Sequence, residues 1–122
     1  MTDTPLAARV RGLLPVAPRD YLILFALGGG PLHGHGLLKA LETDGGVLFD
    51  PANLYRSLRK MERDDLVAES TADAAPTGGA PRRVYRLTRL GRAVLAAEAD
   101  RLARLTDAAR ARRLVPATRA TR

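Results

Sequence analysis

Residues 28–38, the segment GGGPLHGHGLL, carry five glycines and two histidines, a density that first suggests a phosphate-binding loop or a metal site. The spacing fits neither. His33 and Lys39 stand where a G-x-G-x-x-G motif needs its last glycine, and His35 stands where a Walker loop needs its lysine. On a helix, His33 and His35 would point about 200° apart and could not chelate one metal ion. Because the chain has no cysteine and no third histidine, the sequence predicts no metal site.

The other residues that could do chemistry have structural interpretations. We expect His33 to cap or pack at a helix start and His35 to be partly buried. The acidic trio Glu62, Asp64 and Asp65 is expected to form a solvated turn rather than a carboxylate dyad. Neither of the two serines lies in a nucleophile-elbow motif. The sequence therefore predicts no enzyme and no cofactor.

The segment DPANLYRSLRKMERDDLV, which begins at Asp50, predicts an amphipathic helix. Asp50 is a favourable N-cap and Pro51 a favourable first helical residue, so the start of the helix is well defined. At helical spacing one stripe should face inward and the opposite side should be basic. The inward stripe is Leu54, Leu58, Met61 and Asp65, and the basic side is Arg56, Arg59 and Arg63.

This helix has the features of a DNA recognition helix. Such a helix enters the major groove with its N-terminal residues nearest the bases. Asn53 can pair with adenine and Arg56 with guanine, while arginines of a following hairpin would contact phosphates. The candidate DNA-binding residues are Asn53, Tyr55, Arg56, Arg59, Lys60, Arg82 and Arg83.

The distribution of charge also favours a polyanionic partner. The net charge is +7, with +5 in residues 76–92, +6 in residues 101–122 and −4 in the remainder. Eighteen arginines against two lysines fit a GC-rich coding bias. That bias explains the preference for arginine but not the lack of acids in residues 76–92, so nucleic acid is the expected partner.

The remaining elements follow from periodicity and from helix and turn signals. A first helix, apolar almost all round, should lie centrally in the core. A second should direct Leu37, Leu38 and Leu41 inward, with Gly45 or Gly46 supplying the left-handed stop after it. Residues 71–81 should form the mobile tip of a hairpin. The predicted elements are helices Arg19–Leu27, Gly34–Thr43 and Arg89 to about Leu114, and strands Val47–Phe49, Val67–Ser70 and Arg83–Leu87.

Together these elements predict a mainly α fold with a small β-hairpin wing, a winged helix-turn-helix followed by a long C-terminal dimerisation helix. Residues 1–17 would be an N-terminal arm or docking helix, and residues 18–88 the DNA-binding domain. Residues 89–114 would form the dimerisation helix and residues 115–122 a disordered basic tail. The expected dimerisation residues, several at heptad spacing, are Leu95, Leu102, Leu105 and Ala109.

Three segments resemble, in order and spacing, the motifs of PadR-like transcriptional regulators: GPLHGHGLLKAL, NLYRSLRKMERDDLV and PRRVYRLTRLGRAVL. The resemblance covers roughly residues 20–97. It implies a winged helix-turn-helix, a homodimer formed through the C-terminal helix, repression of nearby genes and release from DNA by a small apolar or aromatic effector. The positions that match the family pattern are Leu54, Tyr55, Leu58, Tyr85, Thr88 and Gly91.

The chain departs from the family pattern at several positions. His35 stands where the family usually has tyrosine, and Gly36 where it has a polar residue. Ala52 replaces a frequent glycine, and Arg56 replaces the usual proline, which adds a candidate DNA contact. Asp65 replaces a glycine, a change that aspartate tolerates because it can adopt left-handed geometry. The final helix has no aromatic residue to sandwich a flat ligand.

The expected function is thus a sequence-specific, dimeric DNA-binding regulator that recognises a pseudo-palindromic operator. Its expected location is the cytoplasm, without membrane contact, because the apolar run at residues 21–27 is too short to span a bilayer. The alternative is a winged-helix module that binds protein or RNA without reading a DNA sequence.

Overall fold

The computed structural model describes residues 5–46, 49–71 and 83–116. Its fold is mainly α with one small antiparallel sheet, as the sequence predicts. The elements, in chain order, are α1 (Leu6–Gly12), α2 (Pro18–Leu27), β1 (Leu32–His33), α3 (Gly34–Gly45), α4 (Pro51–Arg63), β2 (Val67–Thr71), β3 (Arg83–Leu87) and α5 (Arg89–Ala111).

The sheet has three strands in the order β1-β3-β2, all antiparallel. β2 and β3 form the predicted hairpin, with Val67 opposite Leu87. The short third strand, β1, pairs Leu32 with Tyr85 and was not expected, because two residues are too few to produce a periodic pattern. The strand predicted at Val47–Phe49 is wrong at Phe49, which is buried but lies in no strand; residues 47 and 48 lie outside the described residues.

The core lies where α2, α3, α4, the sheet and the first turns of α5 meet. Helix α2 lies in the core as predicted, through Ile23, Leu24 and Leu27, although Phe25 on the same helix is 51% exposed. Leu37 and Leu41 are buried as expected, whereas Leu38 is half-buried at the edge of the core. The fully buried side chains contributed by α2, α4 and α5 are Ile23, Leu24, Leu27, Leu54, Leu58, Met61, Val94 and Glu98.

Helix α4 begins at the predicted residue, but it ends at Arg63, before the last residue of the predicted inward stripe. The Asp50 carboxylate accepts a hydrogen bond from the Asn53 N–H at 3.4 Å. Asp65, expected on the inward stripe, lies beyond the helix and is exposed, with φ of 64°. The left-handed turn there brings Leu66 into the core instead, and the Leu66 N–H donates to the Met61 carbonyl at 2.8 Å.

Helix α5 is joined closely to that turn. The Thr88 side chain caps it, accepting from the Gly91 N–H at 2.9 Å and donating to the Asp65 carbonyl at 2.5 Å. Gly91 is required by packing, because a Cβ atom there would overlap the Leu66 carbonyl oxygen. The helix ends at Ala111, three residues before the predicted Leu114.

The segment before α2 contains the short helix α1. Helix α1 packs against α5, with Val10 buried in the common core. Helix α3 also runs two residues past its predicted end at Thr43, and Gly46 supplies the left-handed cap. Residues 117–122, most of the predicted basic tail, lie outside the described part of the chain.

Candidate nucleic-acid interface

Helix α4 presents a basic face, because its three buried residues hold the opposite side against the core. Arg56, Arg59 and Arg63 are all exposed, as the helical spacing predicts. Asn53 is exposed one turn before Arg56, and the Arg56 guanidinium donates a hydrogen bond to the Asn53 side-chain oxygen at 2.5 Å. The two residues predicted to read bases are therefore held together as one polar unit.

Lys60 is tied back to the body of the domain. Its ammonium nitrogen lies 3.3 Å from the carboxylate of Asp20 on α2. The Lys60 side chain remains more than half exposed, whereas that of Asp20 is mostly covered. Of the predicted DNA-binding cations on α4, Lys60 is thus the one whose charge is already balanced by a carboxylate.

Tyr55 lies between α4 and the sheet. Its ring is 6.5 Å, centre to centre, from the ring of Tyr85 on β3, in a tilted arrangement. Its hydroxyl occupies the space that a Cβ atom on Gly34 would need, so this close contact requires glycine at the start of α3. Tyr55 and the N-terminus of α3 are consequently adjacent.

An open cleft of about 400 Å³ separates α3, α4 and the wing. His33 caps α3, as predicted, because its Nδ1 accepts a hydrogen bond from the Gly36 N–H at 3.2 Å. His35 is exposed, so its predicted partial burial is wrong: its side chain leaves the first turn on the solvent side. The residues that line the cleft are His33, Gly34, His35, Tyr55, Arg83 and Tyr85.

The wing contributes the charge of Arg83 to this cleft. Arg83 is exposed and lies 3.4 Å from the carboxylate of Glu69 on β2. Burial raises the pKa of the Tyr85 hydroxyl, and the nearby charge of Glu69 raises it further. Burial likewise raises the pKa of Glu62, with Glu69 again adding to the effect. Arg82, also predicted to contact DNA, lies outside the described residues.

The predicted dimerisation residues occupy two different environments. Leu95 packs against the core of its own chain and lies close to Gly28. Leu102 and Ala109 are half-buried, and Leu105 is 54% exposed. Helical spacing places Leu105 on the same side of α5 as the buried Val94, so the apolar stripe continues past the end of the core.

Glu98 is the main residue that sequence reasoning missed. It is 1% exposed, and its carboxylate receives hydrogen bonds from the Arg101 guanidinium at 2.6 and 2.7 Å and from the Val16 N–H at 3.2 Å. The hydrogen bonds from Arg101 hold the pKa of Glu98 below its ordinary value, against the opposing effect of burial. The spacing of four residues from Val94 places Glu98 on the buried face, a signal that was available.

Glu98 and Arg101 form one wall of a second cavity, of about 250 Å³, between α5 and α2. Its other walls are mainly apolar: Val16, Pro18, Tyr21, Leu22 and Leu102. This cavity therefore combines an ion pair with apolar surface.

Metal-binding clusters and membrane-spanning helices are both absent from the residues that the structure describes. No group of three or more histidine, aspartate or glutamate side chains that could hold a metal ion occurs among them. No helix in the described ranges is both long and apolar enough to cross a membrane.

The chain is similar to proteins of one regulator family. The model of the transcriptional regulator PadR-like family matches residues 23–97. An uncharacterized 37.1 kDa protein from a transposon of Streptomyces fradiae is 35% identical over 85 residues, which are 70% of this chain; the match spans only 23% of that protein's length.

Solved structures show the same fold. A PadR family transcription regulator from Clostridium difficile matches 77% of this chain and 96% of its own, with TM-score 0.69 and 19% identity. Bacillus subtilis PadR in complex with operator DNA matches 66% of this chain and 46% of its own, with TM-score 0.59 and 20% identity. The match to the family model covers more than half of the chain, which therefore belongs to the PadR-like family of transcriptional regulators, a family of regulators rather than enzymes.

Proposed function

We propose that this chain is a sequence-specific DNA-binding regulator that uses α4 as its recognition helix and the β2–β3 wing as a backbone contact. The observation that carries the proposal is the exposed basic face of α4. Within the described part of the chain, Arg59 and Arg63 form no ion pair with an acid. Exposed cations without acidic partners can neutralise phosphates and release counterions, the main source of affinity for DNA.

The polar pair at the start of α4 supplies the proposed sequence readout. Asn53 and Arg56 lie in the first turns, the part of a recognition helix that reaches the base edges. An arginine recognises guanine and an asparagine adenine through paired hydrogen bonds. The Bacillus subtilis PadR structure contains operator DNA, which supports assigning the same class of ligand to this fold.

The proposed active form is a homodimer joined through α5. The apolar stripe of Leu102, Leu105 and Ala109 lies beyond the core, and Leu105 in its middle is 54% exposed. Two copies related by a two-fold axis would place their α4 helices in successive major grooves, about 34 Å apart. The operator would then be pseudo-palindromic, and occupation of a promoter would make the protein a repressor.

Release by a small apolar effector is part of the proposal. The cavity between α2 and α5 has apolar walls and one ion pair, Glu98 with Arg101. A ligand bound there would shift α5 relative to the DNA-binding domain. Because α5 would also carry the dimer contact, the shift would change the distance between the two recognition helices and weaken operator binding.

The test is binding to the region immediately upstream of the chain's own gene, compared with random duplex DNA at one salt concentration. A sequence-specific regulator should prefer its site by about 10³ or more. Arg56→Ala with Arg59→Ala should lose the footprint. The matched control, Arg104→Ala with Arg110→Ala, removes two exposed arginines from α5 and should keep it.

Two outcomes would contradict the proposal. Equal affinity for promoter and random DNA would favour the alternative, a module that binds protein or RNA without reading a DNA sequence. An unchanged footprint for the α4 variant would show that α4 is not the recognition helix.

A further inference from the structure

The cleft between α3 and the wing is lined by two hydrogen-bond donors, the Tyr85 hydroxyl and the Arg83 guanidinium, of which Arg83 is already paired with Glu69. Tyr85 is 2% exposed, and its hydroxyl makes no hydrogen bond with any described residue. No fully buried side-chain nitrogen or oxygen among those residues lacks a hydrogen-bond partner. Since the Tyr85 hydroxyl has no such partner, it must be open to the cleft. Arg83 lines the same cleft and is 72% exposed. Together they form a recess that suits an oxyanion.

The start of α3 adds a favourable field. The free N–H groups and the dipole of a helix N-terminus attract anions. His35 lies in this first turn and lines the cleft. Gly34 is buried beneath the Tyr55 side chain, so the first turn of α3 meets the cleft mainly at His35. The recess is therefore lined by the first turn of α3, by Arg83 on β3 and by the side chains of His35 and Tyr85.

The two histidines at this site differ in the contacts of their rings. Nδ1 of His33 accepts the Gly36 N–H, so adding a proton to that nitrogen would break the cap of α3. His35 is exposed and holds no cap. Of the two, His35 is the residue that can become an imidazolium without disturbing the fold.

The charged and titratable groups on the elements that frame the cleft act in both directions on an added anion. Glu69 is paired with Arg83, whereas Glu62 lies beside Glu69 and opposes an anion. Seven cations nevertheless outnumber four acids on these elements. The groups are His33 on β1, His35, Lys39, Glu42 and Asp44 on α3, Tyr55, Arg56, Arg59, Lys60, Glu62 and Arg63 on α4, Glu69 on β2, and Arg83, Tyr85 and Arg86 on β3.

We propose that this cleft binds one phosphate group of the DNA backbone and that His35 contacts that phosphate in its protonated form. The inference rests on the proposed DNA-binding function and adds a proton-linked contact to it. Each bound copy would take up as much as one proton. Position 35 would then give this chain a pH dependence that a tyrosine, which stays neutral over this range, would not supply.

The direction of the effect follows from linkage. An adjacent phosphate favours the charged imidazole, so the affinity of histidine for its proton is higher in the complex than in the free protein. The extra affinity for DNA is fully present at low pH and is lost as the pH rises. One linked proton can change the affinity by at most about tenfold per pH unit in each copy.

The test is the salt dependence of binding to a mixed-sequence duplex at about pH 6 and about pH 8, on either side of the range where histidine titrates. At the lower pH, His35→Gln should reduce the slope of log K against log salt by about 0.9 per copy, the value of one phosphate contact. At the higher pH it should leave the slope unchanged. Arg83→Gln should reduce the slope at both values, since arginine stays charged.

Arg104→Gln, on the exposed part of α5 and away from the cleft, serves as the control and should preserve both the slope and the pH dependence of the unmodified protein. Thermal unfolding of each variant checks that α3 remains folded. Equal slopes for His35→Gln and the unmodified protein at about pH 6 would overturn the inference, whereas promoter-specific binding would still stand. Failure of the unmodified protein to bind any duplex at either pH would overturn the DNA-binding function itself.

Discussion

The carboxylate of Glu98 and the backbone N–H of Val16 form a 3.2 Å hydrogen bond that fastens the N-terminal segment to α5. The same carboxylate is held by Arg101, at 2.6 and 2.7 Å. A buried charge is tolerated only when it is paired and hydrogen-bonded. This small network therefore determines how the segment before α2 meets the long helix, and it forms a wall of the cavity between them.

Replacing Glu98 by glutamine should destabilise the protein. The substitution keeps the shape but removes the charge that Arg101 and the Val16 N–H share, and the expected loss is about 2 kcal/mol of unfolding free energy. Chemical denaturation measures it. Asp100→Asn, which breaks the exposed pair with Arg104 on the same helix, is the control and should have little effect.

The contribution of Glu98 should depend on pH in a defined direction. The hydrogen bonds from Arg101 lower the pKa of Glu98 in the folded state, so its contribution is fully present above the ordinary glutamate pKa of about 4.3. It is lost as the pH falls through the lowered pKa of the folded state. The stability difference between the unmodified protein and Glu98→Gln should be constant from neutral to mildly acidic pH and shrink below that range. A difference that grew in acid would contradict this.

Gly91→Ala should be strongly destabilising. A Cβ atom at this position overlaps the carbonyl oxygen of Leu66, a backbone atom that cannot move without disturbing the turn after α4. We expect a loss of about 2 kcal/mol or more, measured as a lower midpoint of thermal unfolding. Gly12→Ala is the control: no atom lies within 4 Å of its added methyl group, and alanine favours the helix. Equal midpoints for the two variants would show that the close packing at Gly91 is not required.

Asp20→Asn should strengthen the proposed DNA binding. The substitution removes the carboxylate that lies 3.3 Å from Lys60, so the ammonium group becomes available to a phosphate. The slope of log K against log salt should steepen by up to about 0.9 per copy. Asp107→Asn removes the same charge from the exposed side of α5 and should leave the slope unchanged. A weaker complex for Asp20→Asn would mean that Asp20 positions Lys60 for DNA instead of competing with it.

Leu105→Asp should convert the proposed dimer into a monomer without unfolding it. Leu105 is 54% exposed, so its replacement costs the isolated chain little, whereas a carboxylate in the apolar stripe of α5 would be buried by a partner. Sedimentation equilibrium measures the mass. Ala103→Asp, on another side of α5, should remain dimeric. Equal masses for Leu105→Asp and the unmodified protein would place the dimer contact elsewhere.

Features encoded by neighbouring residues could be read from the sequence. The start of α4 follows from Asp50 and Pro51, and the cap of α5 from Thr88, because the capping groups lie within three residues of their partners. The buried stripe of Leu54, Leu58 and Met61 follows from helical spacing. The fold class and the basic face of α4 were predictable for the same reason, since both depend on local periodicity.

Only the tertiary structure decided which residues far apart in the chain contact each other. Glu98 meets Val16 across 82 positions, and Lys60 meets Asp20 across 40. Strand β1 exists because β3 offers it an edge, not because its two residues favour a strand. The role of the segment GGGPLHGHGLL also depends on the tertiary structure. Its glycines allow close packing, and the exposed His35 lines a cleft because α4 and the wing pack around it. Local propensities determine the elements, but long-range packing determines which side chains meet.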